Sequence, residues 1–573
     1  MIGIIFNLCL LGIFKYTDFF LENFNLFTKL LALDFTIPLP HILLPLALSF
    51  VTFQQIAFLV DCYRQATDRA ESNNPTQEIP DVNFLDYCLF ITFFPQLIAG
   101  PIVHHREMMP QFHAMNRRDS VSGEPLSLRG DAIAEAIHTK TQKLDSSMDS
   151  KETSANAERC PLFCHADKSA RNDTNLSKSA KDSRICNEKS GLSSDWQGSY
   201  LSGNDRRQSC RIADLSRKAE STKKAESLHI INWEYIAKGL FIFSIGLFKK
   251  VVIADSFAKW ANAGFSAVES GSVLNLLESW ATSLSYTFQL YFDFSGYCDM
   301  AIGLGLLFGI VLPLNFSSPY KSRNIAEFWR KWHITLGRFL KEYLYIPLGG
   351  NQNIKRVVSK NGEPAIQKKE SWFNNLLTLR NLFIVAFLSG VWHGAGWGFV
   401  LWGSLHGLAM VGHRAYMFML DWAQQSSQRA KIFVQTLLES KLYIVLCWFL
   451  TFNFVNIAWV FFRAENLQGA LNLLKGMFFG SLVLPKSLES RLGEVVNLSF
   501  GLWLEGIKGD FTIVVWILGA FALCLVCRNS VEMTDSLAKR VNAKMLLAGC
   551  LFAYALIVIA GSSYTPKFLY FNF

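Results

Sequence analysis

The chain has 573 residues, of which 51% are hydrophobic, 14% aromatic and only 18% charged, where soluble proteins carry about 25% charged residues. The charge is also uneven: residues 116–229 hold 20 Lys and Arg and 17 Asp and Glu, which leaves the other 459 residues 14% charged. A soluble multi-domain enzyme, a collagenous fibre and a disulfide scaffold are excluded. A polytopic membrane protein with a polar insert remains, and its formal net charge of +9 fits basic cytoplasmic loops rather than a nucleic-acid face.

A membrane-crossing helix needs about 20 mostly apolar residues. Residues 1–14 are apolar but lack a basic leader and a small-residue cleavage site, so they read as a short membrane segment and not as a cleaved signal. Residues 37–60 follow, interrupted by Pro38, Pro40 and Pro45. Residues 84–103 end in PQLIAGP (95–101), the pattern of a broken or re-entrant helix; unwound backbone is tolerated at membrane depth only where protein or a water-filled cavity covers it. The insert 116–229 contains 20 Ser, few large aliphatic side chains and no sustained period. It cannot bury enough apolar surface to offset its chain entropy, and disorder is expected.

Beyond the insert, candidate spans fall at 235–254, 273–292, 296–314, 379–392, 397–420, 442–462, 511–527 and 545–562. Segment 324–344 is too charged to cross alone; it reads as an amphipathic helix lying at the interface or dipping into the bundle. The expected architecture is all-α, with about ten membrane helices. Residues 1–115 form N-terminal membrane helices with the re-entrant segment, 116–229 a disordered insert, and 230–573 the membrane core. Cys524 and Cys527 form a C-x-x-C inside an apolar run and read as two small apolar side chains, not a redox pair. Cys160, Cys164, His165, Cys186 and Cys210 match no compact zinc pattern, and no metal site is expected.

Ionisable groups inside apolar segments mark where chemistry could occur, because burying them is costly unless they serve a cavity or find partners. His393 lies in SGVWHGAGWG (389–398), where Gly390, Gly394, Gly396 and Gly398 permit close helix approach. A structural histidine bonded to a neighbouring helix is the competing reading. His333 lies in FWRKWHITL (328–336), with Trp329 one helical turn before it on the same face. A desolvated imidazole stays neutral and can accept a proton from a hydroxyl attacking an acyl thioester. An interfacial helix histidine is the alternative. His406 sits thirteen residues after His393, about 220° away on a straight helix, and reads as structural. Asp293 and Asp299 lie buried in QLYFDFSGYCDM (289–300), where Asp293 or Ser295 would cap a helix opening at Gly296, or the acids would line a polar cavity. His104 and His105 with His113 are a weak metal pattern, since adjacent histidines seldom share an ion.

At these segments the chain resembles the membrane-bound O-acyltransferase family, in particular its bacterial polysaccharide branch. The motifs that carry the resemblance are FPQLIAGP (94–101), QLYFDFSGYCDMAIGLG (289–305), PYKSRNIAEFWRKWHITL (319–336), YLYIPLGGN (343–351), GVWHGAG (390–396) and WVFFRAEN (459–466). The resemblance implies a ring of membrane helices around a thinned central funnel, in the cell inner membrane. There a cytoplasmic acyl donor, acetyl-CoA, meets an acceptor from the other side. It implies His393 as the catalytic residue and His333 as its companion across the funnel. Trp329, Trp332 and Trp392 would exclude water, with Asp293 and Asp299 lining or supporting the site. The partners it implies are membrane lipid, a polysaccharide acceptor (alginate-like or peptidoglycan) and a periplasmic SGNH-type acetyltransferase, with no nucleic acid and no tightly bound cofactor. Two departures stand out. The chain starts almost at the G-x-F-K-Y motif (12–16), ahead of which family members usually carry two or three more segments, so a truncated frame or fragment is expected. The insert also interrupts the short link after the P-Q-F motif (110–112). A transporter or flippase using the same broken helices, or an inactive truncated remnant, are the competing functional readings.

Overall fold

The computed structural model describes residues 1–33, 35–45, 47–71, 84–97, 100–116, 232–350, 354–358, 364–368, 372–492, 499–537, 540–562 and 569. The insert expected at 116–229, including its cysteines, lies outside the described residues except for Asn116, and so does the side chain of His113. Helices dominate. Among the described residues, strands are limited to a two-stranded antiparallel hairpin (Ile354–Val358 with Pro364–Lys368) and a short parallel pair (Val483–Pro485 with Ser499–Gly501).

The organising element is the helix Leu276–Leu307, 32 residues and about 48 Å long at 1.5 Å per residue. Its start is written in the sequence. Asn275 accepts from the Glu278 backbone N–H while Glu278 bonds back to Asn275, a reciprocal capping box. Nothing after that point stops it, so the two spans expected at 273–292 and 296–314 are one helix. Asp293 and Ser295 therefore lie mid-helix and cap nothing, and Gly296 opens no new element. Gly296 serves close approach instead: a Cβ there would meet the Gly246 carbonyl oxygen at 2.7 Å, and one on Gly246 would meet the Gly296 oxygen at 2.6 Å. The long helix thus packs backbone to backbone on Trp233–Phe248, whose N-cap Asn232 accepts from the Glu234 and Tyr235 N–H groups.

Prolines redraw the N-terminal half. Residues 35–45, which hold Pro38, Pro40 and Pro45, are non-helical, and the helix expected over 37–60 begins only at Leu48 and runs to Glu71. The broken helix expected at 84–103 is present as two short pieces, Phe84–Thr92 and Phe94–Leu97. Ile102, Val103 and His104 are then buried without helix. By length and apolarity, four helices among the described residues can cross a membrane: Ile2–Leu30, Phe373–His393, Lys441–Arg463 and Val541–Gly561. Phe511–Leu525 is apolar but shorter, and the central helix carries buried acids. The main core gathers Phe257, Phe265, Tyr286, Phe288, Phe294, Trp402 and Trp459 between the central helix and its neighbours.

Candidate active site

Segment 324–344, expected as one amphipathic helix, is two short helices, Ile325–Lys331 and Ile334–Leu340, followed by a π-helical turn Lys341–Tyr345. Between the helices His333 adopts left-handed backbone (φ 47°), a conformation uncommon for any residue with a Cβ. A strand-like segment holds it there: Ser317 N–H donates to the Lys331 carbonyl at 3.0 Å, Ile334 N–H to the Asn315 carbonyl at 3.0 Å, and Phe316 bridges Trp332. Trp329 and His333 consequently do not share a helical face.

The buried Asn315 amide fixes the His333 ring. Asn315 Oδ1 accepts from the Thr335 N–H at 3.2 Å and the Thr335 hydroxyl at 3.0 Å, and lies 3.1 Å from His333 Nδ1. An amide oxygen can only accept, so Nδ1 carries a proton. Phe294 of the central helix meets the same ring edge-to-face at 4.9 Å.

His393 is the last residue of Trp372–His393. The Gly390–Gly403 contact, where a Cβ on Gly390 would stand 2.6 Å from Gly403 Cα, lets Trp397–Ser426 lie directly against this helix. That places Trp402 5.2 Å from the His393 ring, with Phe462 of Lys441–Arg463 also at 5.2 Å and Trp392 at 4.8 Å. His393 is buried, and its neighbour Trp402 stacks on Trp459 at 5.5 Å, which in turn meets Trp332, the residue before His333, at 5.1 Å. The two sequence-expected histidines are therefore in one region of the molecule.

A helix that ends inside protein must find partners for its last carbonyls. Here the N-terminal helix supplies them. Its π-helical turn Gly12–Tyr16 presents Lys15 Nζ to the Trp392 carbonyl at 2.6 Å and the His393 carbonyl at 3.1 Å, while the Tyr16 hydroxyl donates to the Val391 carbonyl at 2.8 Å. A cation at a helix C-terminus also complements the helix dipole. Sequence reasoning used G-x-F-K-Y only as a landmark and missed this latch; the π turn, which re-aims side chains within a helix, is its structural signature.

Of the three tryptophans expected to exclude water, Trp392 and Trp332 are buried. Trp332 packs on Trp459 at 5.1 Å. Trp329 is half-buried and donates its indole N–H to His406 Nδ1 at 3.2 Å. His406, fully buried, packs on Trp402 at 4.7 Å. The 220° offset expected between His393 and His406 on one helix is irrelevant because they belong to two helices of a hairpin, with Trp402 between them.

Asp293 and Asp299 form a different kind of region. Asp299 takes Lys249 at 2.6 Å, and Asp293 takes Lys250 at 2.9 Å and the Leu569 N–H at 3.1 Å. Both lysines sit in a second π turn, Lys249–Ala254. These acids tie the central helix to its neighbour, as closed ion pairs.

His104 and His105 also have a setting. The buried Asp61 takes Arg106 at 2.6 Å and the Tyr343 hydroxyl at 2.8 Å, and His105 Nδ1 lies 3.8 Å away. His104 Nδ1 lies 3.2 Å from the Tyr343 hydroxyl. Arg338 grips Glu107 with two nitrogens beside them. Burial first, then the neighbouring Arg338, His105 and Arg106, pull the His104 pKa down to about 3. Among the described residues no group of three or more His, Cys, Asp or Glu could hold a metal ion.

Comparison with known proteins completes this picture. A model of the membrane-bound O-acyltransferase family matches residues 30–128 and 222–360. A peptidoglycan O-acetyltransferase of Helicobacter pylori is 38% identical over the whole chain, which spans 82% of that protein. A probable alginate O-acetylase AlgI of Azotobacter vinelandii is 28% identical over 86% of the chain, which spans 65% of that relative. A teichoic acid D-alanyltransferase of Streptococcus thermophilus is 27% identical over 38% of the chain and 49% of its own length. The chain belongs to the membrane-bound O-acyltransferase family.

Proposed function

We propose that the chain moves an acetyl group from cytoplasmic acetyl-CoA across the membrane for O-acetylation of a cell-envelope polysaccharide, as a multi-pass protein of the inner membrane. Peptidoglycan is the acceptor to test first, because the 38% identical relative that matches the whole chain is named for it; alginate follows from the AlgI relatives. His393 acts as the base. It takes the proton of an acceptor hydroxyl, or of a relay nucleophile, as that oxygen attacks the thioester. His333, held by Asn315, orients or polarises within the same region. The aromatic walls keep out water that would hydrolyse the donor. A periplasmic SGNH-type acetyltransferase is the partner that would receive the acetyl group where transfer is indirect.

The observation that carries this reading is the enclosure of His393: a buried imidazole at a helix end, walled by Trp392, Trp402 and Phe462 and latched by Lys15. The test is the base-labile acetate on cell-wall peptidoglycan in cells carrying His393→Ala as the sole copy. Loss to background, with the variant present in the membrane at normal amount, is expected. Unchanged acetylation would refute the assignment.

A further inference from the structure

His406 is fully buried, and its chemistry is constrained by one contact. Its Nδ1 receives the Trp329 indole N–H at 3.2 Å. Indole nitrogen can only donate, so Nδ1 must be the accepting nitrogen. A doubly protonated ring has no acceptor, so His406 is neutral with its single proton on Nε2. That Nε2–H is buried, and among the described residues it has no hydrogen-bond acceptor; the indole nitrogens of Trp392 and Trp402 are in the same position. Leaving a buried donor unmatched is costly, and such groups in a native structure call for a reason. Here the three are linked through ring contacts: Trp392 and Trp402 each touch His393, and His406 lies behind Trp402. With centroid separations of 5.2 Å and 4.7 Å end to end, the His393 and His406 rings lie within about 10 Å of each other. Three unmatched buried N–H donors suit a ligand that accepts, and a carbonyl oxygen gaining negative charge is the strongest such ligand in acyl transfer.

We infer that His406 is a second catalytic imidazole, whose Nε2–H binds the carbonyl oxygen of the acyl thioester as charge builds on it. The inference rests on the reading of His393 as the base. The acceptor oxygen bonds to the carbonyl carbon while its proton passes to a ring nitrogen of His393. The C=O π pair moves onto oxygen, where His406 Nε2–H meets it, with the Trp392 and Trp402 N–H groups beside it. Collapse re-forms the C=O and breaks the C–S bond, and the departing thiolate takes the proton from His393. His406 begins and ends neutral, because the Trp329 bond holds its tautomer throughout.

The experiment uses the full chain in proteoliposomes, with acetyl-CoA as donor and a disaccharide muropeptide as acceptor, and reads CoA release as a function of pH. His406→Phe keeps an aromatic ring and removes the donor; His406→Gln keeps a side-chain N–H. His406→Phe is expected to lower kcat about 100-fold, as loss of one oxyanion donor does. KM for acetyl-CoA should stay within about threefold and the pH profile should not move, because no titrating group is lost. His406→Gln should recover about a tenth or more of wild-type kcat. Equal losses in the two variants, or His406→Phe within about threefold of wild type, would overturn the inference. His393→Ala is measured alongside. An active His393→Ala with the Phe/Gln contrast intact would remove the base and leave the donor standing, so the two failures are distinguishable.

Discussion

Two regions bury polar groups next to the central helix, and they do it in opposite ways. Along the seam with Trp233–Phe248 and its π turn, each acid meets a lysine, Asp299 with Lys249 and Asp293 with Lys250, at 2.6 and 2.9 Å. Around His393, the Trp392, Trp402 and His406 nitrogens bring donors and no acceptors. The seam is closed electrostatically, so its polar groups hold helices together. Around His393 these donors are unmatched, and under the proposed mechanism they would meet the oxygen of the acyl group. Burial of charge inside an apolar run, the signal the two regions share in sequence, does not separate scaffold from site; the state of the partners does.

The contrast is sharpened first at the seam. Lys250→Ala strands the buried Asp293, and breaking a buried pair on one side costs about 3–5 kcal/mol. A large drop in the detergent-solubilised unfolding midpoint is expected, and the double variant with Asp293→Asn should recover part of it. An unshifted midpoint would mean that the seam is not what holds the two helices. Around His393, Gly390→Val drives side-chain atoms into Gly403, where even a Cβ stands 2.6 Å from Cα. A loss of about 1–3 kcal/mol together with loss of activity is expected, because Trp402 moves away from His393. Lys15→Met leaves the Trp392 and His393 carbonyls without their cation. Activity should fall about 10- to 100-fold, the equivalent of 1.4–2.7 kcal/mol, with a smaller change in unfolding midpoint, and Lys15→Arg should restore part of it. Equal activity in Lys15→Met would show that the latch does not position His393.

Acid provides a gentler probe. The folded chain holds His104 at about 3, whereas an unfolded histidine titrates near about 6.5. Between those values the unfolded state binds the extra proton, so stability from this group is present above the unfolded value and is lost as pH falls towards about 3. A His104→Phe variant should show a shallower loss of unfolding midpoint between neutral and mildly acidic pH. An identical slope would mean that His104 does not contribute. The smallest effect belongs to the surface: Glu234→Ala removes an i,i+4 partner of Lys238 at a residue with a 66% exposed side chain, and such pairs are worth about 0.3–0.5 kcal/mol.

Much of this was legible in the residues. Apolar runs and charge scarcity give a helical membrane protein, and an ionisable residue among glycines in an apolar run picks out His393 for a reason that holds in any bilayer. PQLIAGP foretells a broken helix because proline and glycine interrupt the ladder. What periodicity could not supply was the break at Trp332–His333. The pattern continues as if helical, and only the pairing of residues 315–317 with 331–334 forces His333 into left-handed backbone. Asn315, which holds the His333 ring, comes from an irregular segment with no spacing signal. In sequence, Asp293 or Ser295 reads as a cap before Gly296, or the acids as lining for a polar cavity; the capping box at Asn275 starts the helix earlier and tertiary packing carries it through, which excludes the cap. His406 reads as structural on a single-helix projection; the turn at Gly394–Gly396 folds the chain back and brings it against Trp402, which also touches His393.

The central claim is that the His393 imidazole handles the proton in acetyl transfer. Its most direct test is the single-turnover rate at which full-length protein in proteoliposomes passes labelled acetyl from acetyl-CoA to a muropeptide, for wild type and His393→Gln at equal folded amount. General-base catalysis contributes about 10²- to 10⁴-fold. The expected rate for His393→Gln is therefore at least about 100-fold lower, with acetyl-CoA binding retained; a rate within about threefold of wild type would contradict the account.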